Sequence, residues 1–218
     1  MVTRNEGYRR GAGKEQMSLA VLRGFLQEKI GCAGEEISGP DDNYRSGDLV
    51  FPSGRTVECK GQPIDPDRYS QNFVEVFEQT SNDRHLGGFA RVAELLDITT
   101  AELARASVRF RGRSVHVGEP DRVSVSITSI AAASFTAYVN HTDGGKHIYV
   151  YERDELMSHI RSGVRKGMVR GAGNSNEDTF AVFVPLARMR WTRRDGKWVP
   201  GGEEKEPGSL RRLTACLL

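Results

Sequence analysis

The chain has 218 residues, 38% of them hydrophobic, which is enough for one sizeable core with elaborations and reads as a single domain. Lysine and arginine number 31 against 29 acidic residues, a net charge of only +2, so any contact with a polyanion has to come from local clusters rather than total charge. No run of about 18 apolar residues and no leader-like N-terminus is present, so neither a helical membrane span nor secretion is indicated and a cytoplasmic location is expected. Cys32, Cys59 and Cys216 are widely spread with no CxxC pair, which argues against a disulfide framework or a zinc site and reads as reduced thiols.

In chain order, Met17, Leu19, Ala20, Val21, Leu22, Phe25, Leu26 and Ile30 recur at helical spacing, predicting an amphipathic helix from Lys14 to Ile30 with Gly31 as its stop. A basic, glycine-containing stretch, Arg9 to Glu15, comes before it. Its GAGKE does not match a phosphate-binding P-loop, which needs two glycines five apart, then lysine and a hydroxyl residue, after a strand. A basic loop meeting a DNA phosphate and a plain disordered terminus are the readings left.

The next stretch, GDLVFPSGRTVECKG from Gly47 to Gly61, is the most informative. Pro52-Ser53-Gly54 is a turn cluster that folds Leu49-Val50-Phe51 back on Thr56-Val57 as a hairpin and brings Asp48 beside Glu58. Successive strand residues face opposite sides, so Glu58 and Lys60 share one face while Val57 and Cys59 point into a core. Two carboxylates offer hard oxygen ligands to Mg²⁺, and a neighbouring lysine supplies a point charge for a developing oxyanion. That set suits phosphodiester hydrolysis. The plainer alternative is a solvated salt bridge between Glu58 and Lys60 on an edge strand. Gln62 falls on the Lys60 face if the strand continues.

Gly11 to Gln62 resembles the PD-(D/E)XK nuclease superfamily, whose motif residues Asp48, Glu58 and Lys60 match; Gly47 stands where the proline of the name would be. The resemblance implies an α/β (α+β) fold with a restriction-endonuclease-like core: a central mixed sheet flanked by helices, in the order helix, three strands, helix, strand. It implies Mg²⁺ as cofactor, with Mn²⁺ able to substitute, and no nucleotide cofactor. The metal ligands would be Asp48 and Glu58, joined by Glu15 as in junction-resolvase-like members. An acidic residue in a first turn is also what the helix dipole favours. The catalytic set becomes Asp48, Glu58, Lys60, Glu15 and Gln62, and basic contacts to DNA fall to Arg9, Arg10, Lys14, Arg165, Lys166 and Arg170.

Past the motif, Phe73, Val76, Phe77 and Thr80 predict a helix over Arg68 to Thr80. Helices follow at Gly88 to Leu96 and Thr99 to Ala104, the second with a Thr99/Glu102 capping box. SVRFRGRSVHV (107–117), RVSVSITSIAAASFTAYV (122–139) and HIYVY (147–151) read as strands. A helix at Arg153 to Gly163, a loop at Gly167 to Asp178 and a strand at Thr179 to Val184 come next. Met189-Arg190-Trp191 and Lys197-Trp198-Val199 form a hairpin around Asp195-Gly196. The expected nuclease domain thus has core elements at about 14–80 and 147–185, a β-rich elaboration at about 107–140 and a C-terminal hairpin and tail at 188–218.

The basic clusters, Arg105 to Arg113, Arg161 to Arg170 and Arg188 to Lys197, are separate from the acidic ones, as a cleft with carboxylates inside and basic walls requires. Solvated helix faces account for each cluster equally well taken alone. The expected function is a type II restriction endonuclease cutting double-stranded DNA as a homodimer, with the β-rich part reading base edges. A junction resolvase or repair nuclease, and a DNA-binding protein that cuts nothing, are the alternatives.

Overall fold

The computed structural model describes residues 4–37, 47–62, 71–79, 88–108, 123–140, 146–166, 169–171, 179–201 and 207–218; at some of these, among them 4–15, 62 and 169–171, it describes the backbone only. The chain forms two compact units, one from Met1–Ser70, Ala132–Glu152 and Leu186–Leu218, the other from Gln71–Ala131 and Arg153–Pro185.

The first unit opens with α1 (Arg4–Ile30). Leu22, Phe25, Leu26 and Ile30 recur every three or four residues and are buried, so the predicted stripe is the packed one. Gly31, at φ 73°, ends the helix and donates its N–H to the Gln27 carbonyl at 3.1 Å. The helix begins ten residues earlier than the sequence pattern predicts. The stretch around Gly11-Ala12-Gly13 is therefore helical rather than a loop, its glycines outvoted by good helix formers such as Glu6, Arg9, Arg10 and Lys14.

Strands β1 (Glu35–Glu36), β2 (Leu49–Val50), β3 (Thr56–Gln62), β6 (Phe135–Asn140), β7 (His147–Glu152), β10 (Met189–Arg194) and β11 (Lys197–Pro200) form one seven-stranded sheet in that spatial order. β3 and β6 run parallel and every other neighbouring pair is antiparallel. One face of the sheet carries Leu49, Val57, Cys59, Phe135, Ala137 and Val139, packed in one cluster with α1 and the C-terminal helix α6 (Pro207–Leu217). Phe25 meets Trp191 at 4.8 Å and Trp198 edge-on at 5.4 Å, so both tryptophans are core residues. The β10–β11 hairpin is as predicted, with Asp195 (φ 49°) and Gly196 (φ 77°) in the left-handed conformations that a two-residue turn requires.

The second unit holds β4 (Gln71–Gln79), α2 (Gly88–Leu96), α3 (Thr100–Val108), β5 (Val123–Val125), α4 (Thr128–Ala132), α5 (Arg153–Lys166), β8 (Val169–Gly171) and β9 (Thr179–Pro185). Its antiparallel sheet has the order β5-β4-β9-β8. Phe77 stacks on Phe180 at 4.6 Å and meets Phe89 at 5.2 Å, tying α2 to the sheet. Gly163 lets α5 lie close on β9, since a Cβ there would sit 3.2 Å from that of Val182.

Several expectations are corrected. The helix predicted over Arg68 to Thr80 is strand β4: Asn72, Val74 and Val76 alternate inward, so the two-residue period and the β-branched valines outweigh the accidental helical spacing of Phe73, Val76 and Phe77. Ser107 and Val108, expected to open a strand, end helix α3, and 109–117 lie outside the described residues. Within 122–139 the short helix α4 separates β5 from β6. β8 falls inside the stretch expected to be loop, and α6 was not anticipated. The broad expectation stands: the protein is mixed α/β, its central sheet mostly antiparallel and flanked by helices.

Candidate active site

Hairpin β2–β3 forms as its turn residues dictate. Phe51 N–H donates to the Arg55 carbonyl at 3.0 Å and Gly54 N–H to the Phe51 carbonyl at 2.8 Å, with Gly54 at φ 77°. Leu49 pairs with Val57 at the end of the ladder, and Asp48 stands just before it, outside β2. Gly47, just before it, is buried at φ 95°, and a Cβ there would meet the Val57 carbonyl carbon and oxygen at 3.2 Å. Only glycine allows the chain to lie this close to β3 at that angle.

The Asp48 carboxylate is held in place. Its Oδ2 accepts the Cys59 N–H at 2.6 Å, while its own N–H donates to the Val57 carbonyl at 3.0 Å. A short hydrogen bond to a carboxylate oxygen fixes the plane of the carboxylate. Glu58 is 3% exposed and ion-paired through Oε1 with Lys60 Nζ, whose side chain is 33% exposed. A carboxylate this deeply buried needs a cation, and Lys60, two residues along the same face, supplies it.

β3 has β2 on one side and β6 on the other. It is not an edge strand, which removes the solvated edge-strand reading of the Glu58–Lys60 pair. β6 and β7 extend the polar face. In register, Glu58 lies beside Thr136 and Thr136 beside Tyr151; Lys60 lies beside Tyr138 and Tyr138 beside Tyr149. The rings of Tyr138 and Tyr151 meet edge-on at 5.7 Å. Thr136 and the tyrosines escape a sequence reading because no local signal announces that β6 joins β3. Their polarity alternating with the core residues Phe135, Ala137 and Val139 was the one available cue.

The remaining sequence candidates are distributed otherwise. Arg9, Arg10, Lys14 and Glu15 lie in the first half of α1 and Gln62 ends β3 beside Asn140, all with side chains outside the described residues. Arg170 is in β8, its side chain likewise outside them. Arg165 and Lys166 close α5 in the second unit, where Arg165 pairs with Glu102 at 3.3 Å and Lys166 is exposed. The site as described is thus Asp48, Glu58 and Lys60.

Among the described residues no group of three or more histidine, cysteine, aspartate or glutamate side chains clusters as a metal cage. Two carboxylates with one oriented oxygen each are nonetheless a donor set that suits Mg²⁺, which keeps several waters and takes further oxygens from a phosphate. Thiolate or imidazole metals find nothing comparable here: Cys59 points to the apolar core. Among the described residues no helix is long and apolar enough to cross a membrane. No family model, curated protein or solved structure matches the chain.

Proposed function

We propose that the protein is a Mg²⁺-dependent endodeoxyribonuclease of the PD-(D/E)XK kind that hydrolyses duplex DNA as a restriction enzyme does. The observation that carries this reading is a buried Glu58 and the Lys60 ammonium on one face of a non-edge strand, with an oriented Asp48 carboxylate bonded to the backbone between them. The order of elements lends support. A helix packs under a hairpin that bears the acidic residues, and a long crossover then returns a strand parallel to the one carrying Glu58 and Lys60.

Asp48 and Glu58 would hold the ion, and Mg²⁺ when bound polarises the phosphate and lowers the pKa of a coordinated water. Cys59 N–H keeps the Asp48 carboxylate from rotating, so the ligand geometry is set before substrate arrives. Lys60, partly exposed, reaches from Glu58 toward solvent, where its ammonium orients the attacking water or offsets charge on the phosphate oxygens. Cutting both strands of a symmetric sequence requires two such sites, hence a homodimer.

The test is incubation of the purified protein with plasmid DNA and Mg²⁺ or Mn²⁺. Discrete linear fragments that EDTA suppresses and Lys60→Ala abolishes are expected. Metal-independent cutting, or full cutting by Lys60→Ala, overturns the assignment.

A further inference from the structure

Thr136 is 0% exposed, and its hydroxyl has no hydrogen-bond partner among the described residues. It stands on β6 between Phe135 and Ala137, both of which join the apolar cluster under α1. Alternation along the strand therefore turns Thr136 to the opposite face, the face of Glu58. The parallel register puts it directly beside Glu58, and Asp48 is bonded to the backbone of Val57 and Cys59, the residues on either side of Glu58 in the chain. Glu58 and Thr136 thus stand side by side on neighbouring strands, with Asp48 anchored to the strand that carries Glu58.

A buried hydroxyl that bonds to nothing is costly, and valine would fill the same volume without that cost. Such groups in folded proteins are almost always satisfied by protein, an ordered water or an ion. Here the chain supplies no partner among the described residues, while the neighbouring side chain is a carboxylate of the candidate metal site. Adjacent strands stand about 4.8 Å apart, a gap that one water molecule spans. A threonine hydroxyl both donates and accepts, so it holds such a water in a defined orientation.

We propose that Thr136 is a positioning residue of this site: its Oγ1 holds a water molecule in the shell of the divalent cation bound by Asp48 and Glu58. The proposal rests on the nuclease reading and adds a residue to it. Outer partners of this kind orient ligands without touching the metal, and losing one weakens metal binding by about 10- to 100-fold.

The experiment compares the full chain with Thr136→Val, Thr136→Ser and Glu58→Gln by titration calorimetry with Mn²⁺ alone and by thermal melting in EDTA. Thr136→Val should melt no lower than the wild type, since no protein hydrogen bond is lost, yet bind Mn²⁺ roughly 10-fold more weakly. Thr136→Ser should restore the affinity, and Glu58→Gln should lose most of it. Wild-type Mn²⁺ affinity in Thr136→Val beside lost binding in Glu58→Gln overturns the role of Thr136 and leaves the metal site standing. A Thr136→Val that melts lower or fails to fold also overturns it, because the hydroxyl then serves the protein. Wild-type affinity in Glu58→Gln sinks the nuclease reading itself.

Discussion

Gly47 occupies the position where the resemblance calls for proline, and its backbone explains the difference. At φ 95° the residue lies far from the value near −65° that a proline ring imposes, and β3 runs too close for a Cβ. Gly47→Ala should destabilise the protein by about 1–3 kcal/mol from backbone strain. Gly47→Pro should cost more and loosen the Asp48–Cys59 hydrogen bond. Chemical denaturation of the two variants checks both, and a Gly47→Pro as stable as the wild type would refute this account. Lys60 separates structure from chemistry in another way. Lys60→Ala leaves Glu58 buried without its cation, costing about 1–3 kcal/mol after allowance for the partial exposure of the ammonium. Lys60→Arg keeps the charge and should recover most of that stability. Its planar fork does not reproduce the compact ammonium, so cleavage should still fall by on the order of 10²-fold. Melting curves set beside single-turnover rates separate the two effects, and an arginine variant with full activity would show that charge alone suffices.

Elements defined by short-range chemistry were legible in the sequence, and those defined by their neighbours were not. The Pro52-Ser53-Gly54 and Asp195-Gly196 turns, the stripe of α1, α5 and the capping box of α3 follow from residues a few positions apart. β4 was misread because QNFVEVFEQ, nine residues long, satisfies both periods, and only pairing with β9 along its length decides between them. The capping box also gives a pH prediction. Thr99 N–H donates to Glu102 Oε2 at 2.8 Å and Glu102 N–H to Thr99 Oγ1 at 3.1 Å. The hydrogen bonds from the Thr99 backbone and side chain, with the nearby Arg165 charge, lower the Glu102 pKa below its ordinary 4.5. A carboxylate with a depressed folded pKa stabilises above its unfolded value, and that contribution fades as pH falls through the folded one. Glu102→Gln should therefore melt below the wild type at pH 7, and the gap should close in acid. Thr99→Ala should cost about 1 kcal/mol as a lost cap. A Glu102→Gln gap that is the same at pH 7 and pH 3 would exclude the ionic part of the argument.

At the scale of the molecule, the candidate site depends on a pairing that no window of sequence displays. Thr56 and Ser134 exchange hydrogen bonds across 78 residues, and most of the second unit lies in the chain between them. Asp48, Glu58 and Lys60 were legible because one hairpin carries all three; Thr136 was not, because β6 arrives from so far along the chain. Charge is the other property of the whole. With a net +2, the proposed binding to DNA would have to come from local basic groups, and in the first unit Arg194 and Lys197 are exposed at either side of the Asp195-Gly196 turn. Each phosphate contact releases counterions and adds about 0.9 to the slope of log affinity against log salt. Replacing both residues with glutamine should weaken duplex binding at 150 mM salt and lower that slope by about 2. The cleavage rate at saturating DNA should stay unchanged, because neither side chain belongs to the Asp48–Glu58–Lys60 group. Fluorescence anisotropy at several salt concentrations measures the slope. If it matches that of the wild type, the β10–β11 turn does not touch the phosphate backbone and the contact must lie on other basic residues.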